Sequence, residues 1–144
     1  AVRMSVRLKA RVVTRDERES GVRALLNLGH TVGHAIEAAA GYQGLRHGEA
    51  VSLGCVAAFR VSRALGHGTG AQALRMERLL AGFGLPVDLA SHLDEHSLDF
   101  LSSDKKRRGD QLGFVLPGAP GDTRLQSIDM SRLRAILLGD QPAD

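Results

Sequence analysis

Two histidines four residues apart, His30 and His34, stand in the stretch NLGHTVGHAIEAA, and a third, His47, follows in LRHGEAV. Imidazole is the side chain best suited to hold a divalent metal or to exchange a proton near neutral pH. At about 100° per residue, a helix over residues 21–40 places Arg23, Asn27, His30, His34 and Glu37 within roughly 80° of one another. Leu25, Leu28, Val32, Ala35, Ile36 and Ala39 cluster on the opposite side. A solvated helix face normally carries flexible charges, whereas this stripe offers two imidazoles, an amide, a guanidinium and a carboxylate. His47 lies just before a strongly apolar run, so a loop can return it to the helix as a third imidazole. Three chemistries fit these residues: a three-histidine metal site with Arg23 and Lys9 holding an anionic substrate nearby, a phosphate or carboxylate site, and structurally satisfied histidines. Two histidines at i and i+4 suit a zinc site of the HExxH kind, but the intervening residues here are TVG and supply no glutamate base. Spacing alone does not choose among the three.

The elements that must position these groups are mostly helical. Residues 1–14, AVRMSVRLKARVVT, repeat apolar Val2, Val6, Ala10 and Val13 at helical spacing, and Asp16 or Ser20 can cap the next helix. That helix is expected from Gly21 to Ala40, stopped by Gly41. Gly29 and Gly33 inside it cost about 1 kcal/mol each relative to alanine, which close approach of a ligand or close packing of another helix would explain. Residues 49–65 are apolar nearly all round and predict a buried central helix. A further helix is expected over 71–81 with Leu74, Leu79 and Leu80 inward, ended by Gly82, Gly84 and Pro86. Short helical pieces are expected in LASHLDEH and SLDFLSSD. The one β signature comes after them: Leu112–Leu116 and Arg124–Ile128 can pair across the turn PGAPGD, preceded by the basic run Lys105–Arg108. Asp129 or Ser131 can cap a last helix, MSRLRAILL, and GDQPAD reads as a frayed tail.

With 144 residues and 43% hydrophobic residues, the chain can bury a core and is expected to form one domain. That core must be aliphatic, since Trp is absent and there are four Phe and one Tyr. A single cysteine, Cys55, excludes an internal disulfide and reads as a small buried hydrophobe in a protein of a reducing compartment. No apolar stretch approaches the roughly 20 residues needed to span a bilayer, and the first residues lack the order of a secretion signal. The expectation is a cytoplasmic protein without a membrane partner. A net charge of +3 suits an anionic small molecule. Without interleaved aromatics or zinc-finger cysteines, no nucleic-acid partner is expected. His92 and His96 repeat the four-residue spacing in a segment that reads as ordinary helix surface, and His67, among glycines, reads as a turn residue.

The long stretch LKARVVTRDERESGVRALLNLGHTVGHAIEAAAGYQGLRHGEAVSLG resembles 3-dehydroquinate synthases, the sugar phosphate cyclases of the shikimate pathway. DKKRRGDQLGFVLPGAPGD resembles that family's later lysine segment and the small strands after it. The resemblance implies the mainly α, multi-helix C-terminal domain of that fold, with a small β-hairpin near residues 112–128. It implies that His30 and His47 are ligands to zinc or another divalent metal, and gives His34, Asn27 and Lys105 to the substrate phosphate, with Lys106 as the alternative lysine. Lys9 and Arg23 would hold the substrate carboxylate and neighbouring oxygens. On that reading His34 leaves the three-histidine metal set.

The implied reaction converts 3-deoxy-arabino-heptulosonate 7-phosphate to 3-dehydroquinate and phosphate through transient oxidation by NAD. Zinc would polarise the oxygen being oxidised. Related cyclases acting on sedoheptulose phosphate generally change the positions matching LNLGH and VGHAIE, so their retention favours dehydroquinate chemistry. The chain has no Gly-rich phosphate loop following a strand. The nucleotide-binding half and the glutamate expected as third metal ligand are therefore expected in a separate N-terminal part, with NAD bound by the complete enzyme and not by these residues alone. The expected partners are an anionic sugar phosphate, that N-terminal half, and a second copy in a homodimer. Two other readings are a truncated paralogue acting as a binding or regulatory module and a sugar phosphate cyclase of secondary metabolism.

Overall fold

The computed structural model describes residues 2–15, 22–102 and 110–139. In chain order these form α1 (Val2–Arg15), a 3-10 segment (Val22–Asn27), α2 (His30–Ala39), α3 (His47–Ala64), α4 (Gly70–Gly82) and α5 (Glu95–Ser102). The strands β1 (Gln111–Pro117) and β2 (Thr123–Asp129) and the helix α6 (Met130–Leu138) complete them. The architecture is mainly α with one antiparallel hairpin, as the sequence predicts.

Helix α3 is the centre because its residues are apolar on nearly every side. Leu53, Ala57 and Val61 on it are fully buried, and α2, α4, α6 and β1 all pack against it. Around them lie Val32, Ala35 and Ile36 of α2, Leu98 and Leu101 of α5, Phe114 and Leu116 of β1, and Leu133, Ile136 and Leu137 of α6. Burial of each Val, Leu, Ile or Phe side chain among them stabilises the fold by about 1.5–3 kcal/mol. Two buried serines of α3 are paired: Ser52 Oγ donates to Pro86 O at 2.8 Å and Ser62 Oγ to Pro117 O at 2.6 Å, the latter tying α3 to the hairpin.

The hairpin pairs in the expected register, Leu112 with Ile128 and Leu116 with Arg124. Its turn is closed by Gly118 N–H donating to Asp122 O at 2.7 Å. Asp129 caps α6, its carboxylate accepting from the N–H groups of Ser131 and Arg132; Ser131 is therefore not the cap.

Three expectations are corrected. A continuous helix over 21–40 does not form: the chain makes a 3-10 segment, then Gly29 at φ 78°, then α2. The reason is α3, against which Gly29 is pressed, as described below. Helix α4 exists, but Leu74 and Leu79 are 47% and 54% exposed, and Leu80 alone of the three leucines packs on the core. What specifies α4 is its start, where Thr69 Oγ1 accepts from Gln72 N–H and Gln72 Oε1 accepts from Thr69 N–H. LASHLDEH holds one short turn, over residues 90–92, before α5 begins at Glu95, where Asp94 Oδ1 accepts from Ser97 N–H at 2.8 Å.

Helix α1 forms as expected but leaves Val2, Met4, Val6 and Leu8 61–76% exposed. The caps predicted at Asp16 and Ser20, the basic run Lys105–Arg108 and the tail after Gly139 lie outside the described residues. No helix among the described residues is long and apolar enough to cross a membrane.

Candidate metal and substrate site

Helices α2 and α3 meet backbone against backbone, and glycine makes this possible. A Cβ on Gly54 would lie 1.8 Å from Gly29 O, and one on Gly29 would meet Cys55 Sγ at 2.7 Å and Val51 O at 2.8 Å. A Cβ on Gly33 would be 3.0 Å from Ala50 O. The glycines inside the histidine motif thus serve close helix packing, the second of the two explanations open from the sequence. Gly29 also adopts the left-handed conformation that L side chains resist, while its carbonyl accepts from Gly33 N–H at 3.0 Å to open α2. Cys55, packed in this contact, has its thiol pushed up to about 11 by burial and is not a reactive thiol.

This contact sets His30 and His34, on the first turns of α2, beside the start of α3. The chain leaves α2 through a turn in which Gly41 and Tyr42 both have positive φ and re-enters a helix at His47. Glu49 Oε2 accepts from Arg46 N–H at 2.7 Å and pins that helix start. His47 is thus the first residue of α3.

The three imidazoles converge. Ring centroids are 5.5 Å apart for His30 and His34, 5.5 Å for His30 and His47, and 5.6 Å for His34 and His47. With a Zn–N bond of about 2.1 Å a ring centroid sits roughly 3.2 Å from the ion, so two rings at the tetrahedral angle have centroids about 5 Å apart. The spacing of the rings is thus compatible with a shared cation, although the donor atoms that lie within 4.8 Å of one another are those of His34, Glu37 and His47 and not His30.

Their second nitrogens distinguish them. His47 Nδ1 lies 3.0 Å from Glu37 Oε2, and His30 Nδ1 lies 3.2 Å from Leu28 O. Ionised carboxylates and carbonyls only accept, so in both rings Nδ1 donates and Nε2 is left for a ligand. His34 has no hydrogen bond to any described residue. Glu37, whose side chain is 12% exposed against 57% for His47, is anchored deeper than the ring it holds. Donor atoms of His34, Glu37 and His47 all lie within 4.8 Å of one another, so these three could also gather around an ion.

The other predicted site residues stand around this cluster. Arg23 and Asn27 are on the 3-10 segment, on the far side of the Gly29 break, with Asn27 exposed. One continuous helical stripe therefore does not carry all five residues. Lys9 is exposed on α1, which packs against the 3-10 segment. Lys105 and Lys106 lie outside the described residues.

Glu37 was visible in the sequence only as a carboxylate on the histidine stripe, with no role given to it; its partnership with His47 depends on the path of the intervening loop. His92 and His96 do not join the cluster. His92 Nδ1 donates to Asp88 O at 3.0 Å, and His96 stacks edge-on against Phe100 at 5.3 Å. His67 is in a turn, as expected, with Nε2 buried 3.8 Å from Asp122 Oδ1.

The model of the family described as "3-dehydroquinate synthase C-terminal" matches residues 1–107. The 3-dehydroquinate synthase of Nitrobacter winogradskyi is 46% identical over 99% of this chain and 41% of its own length. That of Laribacter hongkongensis is 47% identical over 88% of this chain and 35% of its own. The chain thus spans about two fifths of these curated relatives. Among solved structures, a 2-deoxy-scyllo-inosose synthase complexed with carbaglucose-6-phosphate, NAD+ and Co2+ superposes on 96% of this chain and 39% of its own, with a TM-score of 0.72 at 21% identity, a likeness of fold. On the family match, which covers the α2–α3 contact and all three converging histidines, the chain belongs to the 3-dehydroquinate synthase C-terminal family.

Proposed function

We propose that this chain supplies the metal-binding and substrate-binding side of a 3-dehydroquinate synthase active site, with His30 and His47 as ligands to zinc or another divalent metal. The observation that carries the reading is the state of the second ring nitrogens. Histidines that ligate metals nearly always donate their other N–H to a carboxylate or carbonyl, which fixes tautomer and orientation. His30 and His47 both do so, and His34 does not. A ring beside the ion but not held in this way suits the role of binding the substrate phosphate, together with Asn27 and Lys105. Lys9 and Arg23, on the neighbouring α1 and 3-10 segment, would take the substrate carboxylate.

When bound, the metal polarises the substrate oxygen that is oxidised. The chain's own residues hold a doubly anionic sugar acid in register with it, His34 on the phosphate side and the guanidinium of Arg23 on the carboxylate side. His30 and His47 would supply two protein ligands where a catalytic zinc site usually has three, in keeping with a third ligand and the NAD site in a separate nucleotide-binding half. Val2 and Val6 on one side of α1, and Met4 and Leu8 on the other, are exposed apolar side chains that such a half could cover. The identity of 46% to a 3-dehydroquinate synthase, against 21% to the inosose synthase, favours 3-deoxy-arabino-heptulosonate 7-phosphate as substrate over other sugar phosphates.

The test is release of inorganic phosphate from that heptulosonate phosphate, with NAD and zinc, by this chain alone and together with the N-terminal half of a relative. Turnover is expected only in the reconstituted pair, and His47→Ala is expected to abolish it while leaving the chain folded, with a small loss of thermal stability from the missing bond to Glu37. Normal turnover by His47→Ala would refute the ligand assignment, and no turnover by any reconstituted pair would refute the reaction.

A further inference from the structure

We infer that Glu37 is a positioning residue that holds His47 as the Nδ1–H tautomer with Nε2 aimed at the cation. The inference rests on the proposed role of His47 as a ligand and adds to it the group that makes the ring a competent one. His47 needs such a group more than His30 does. His30 follows directly on a rigid backbone contact, and its Nδ1 is held by Leu28 O, two residues away in the same turn. His47 is the first residue of α3, its side chain is 57% exposed, and among the described residues its Nδ1 is bonded to the Glu37 carboxylate rather than to a backbone carbonyl. A neutral histidine in water favours the hydrogen on Nε2, which would leave Nδ1 as the donor and turn the wrong nitrogen to the ion.

Glu37 reverses this preference. It stands on α2, three residues after His34 and seven after His30, so its side chain issues from the same face as theirs. Its carboxylate is mostly buried and lies 3.0 Å from His47 Nδ1. A carboxylate there accepts the Nδ1 hydrogen, orients the ring and makes Nε2 more basic toward a cation. Because Glu37 and His34 share one helix turn, the same bond locks the start of α3 to the helix that carries the other two imidazoles. Glu37 is near enough to the donor atoms of His34 and His47 to be a direct ligand instead, and the test separates the two roles.

The test uses the 144-residue chain at about pH 8.5, where free imidazole is neutral. Two-bond 15N–1H correlation spectra of the metal-free protein read the tautomer of each histidine, and competition with a chromophoric chelator reads zinc affinity. His47 is expected as Nδ1–H in the unaltered chain, moving toward Nε2–H in Glu37→Ala and returning to Nδ1–H in Glu37→Gln, whose amide oxygen still accepts. Zinc affinity is expected to fall about 10–100-fold in Glu37→Ala and to stay within a few-fold of the unaltered chain in Glu37→Gln. An Nε2–H ring at His47 in the unaltered chain, or a tautomer indifferent to Glu37→Ala, would overturn the inference. So would a Glu37→Gln variant as weak for zinc as Glu37→Ala, because the carboxylate would then be binding the ion itself. Since the tautomer is read without metal, failure of the metal-site reading and failure of this inference are seen separately.

Discussion

His30 and His34 have the same spacing in the sequence as His92 and His96, and the fold treats the two pairs in opposite ways. The first pair lies on consecutive turns of α2, pressed against α3 through Gly29, Gly33 and Gly54, so a third ring and a carboxylate arrive from fixed directions. The second pair straddles the start of α5. His92 is still in a turn and spends Nδ1 on Asp88 O, while His96 packs on Phe100. Four-residue spacing brings imidazoles together only where both are on one helix and a second element is held rigidly beside them. Here that rigidity comes from residues that have no side chain.

The largest effect should follow from removing this support. Gly54→Ala places a methyl group where Gly29 O now sits, 1.8 Å from the new Cβ, so α2 and α3 must part. Overpacking of a core typically costs 1–3 kcal/mol, and backbone against backbone leaves no flexible side chain to yield, so a loss of about 3 kcal/mol or more is expected in urea unfolding. Zinc binding should disappear with it. The labelling rate of Cys55 should rise too, since the burial that now pushes its thiol up to about 11 is part of the same contact. A Gly54→Ala protein of unchanged stability and zinc affinity would mean that the glycine contact does not position the histidines.

A smaller and more selective effect should separate the two histidine pairs directly. His47→Ala removes one proposed ligand and is expected to weaken zinc binding by more than about a hundredfold, above the range found for loss of supporting groups. The double substitution His92→Ala and His96→Ala is expected to change it less than about twofold, because neither residue belongs to the group of donor atoms that lie together. Calorimetric zinc titration of the three proteins makes the comparison. Equal losses would erase the distinction between the pairs.

How far the sequence could show this varies with the range of the interactions. The hairpin register was legible, and the cap of α6 was narrowed to Asp129 or Ser131, because each depends on residues a few positions apart: turn formers between two apolar runs, and short polar side chains at a helix start. Helix α3 was legible because its apolar residues leave no polar face to place elsewhere. The break at Gly29 was not, since a glycine within a helical repeat reads as tolerated, and what forces φ to 78° is Gly54 on another helix. Leu74 and Leu79 mark a helix correctly, but whether they are buried depends on what lies beside α4. At the site, residue type alone pointed to His30, His34 and His47. Their division into ligand and substrate contacts came from resemblance, and the partnership of Glu37 with His47 required the loop between α2 and α3.

The smallest effect lies at the second histidine pair and gives the comparison its control. Arg134 of α6 donates to Glu95 Oε2 at 2.6 Å and Asp99 Oδ1 at 2.9 Å, clipping α6 to the helix that carries His96. These carboxylates, Glu95 first and then Asp99, hold the guanidinium pKa above its usual value. Both partners are about two-thirds exposed, so water and salt screen most of the attraction. Arg134→Ala should therefore cost less than about 1 kcal/mol in urea unfolding at low salt and almost nothing at about 1 M salt, where the Debye length is roughly 3 Å. Zinc affinity should not change, because α5 is held against α2 by its own packing and touches α6 only lightly. A drop in zinc affinity in Arg134→Ala would show that the glycine contact between α2 and α3 is not sufficient to hold the three imidazoles, and that the helix beneath the second pair helps to place the first.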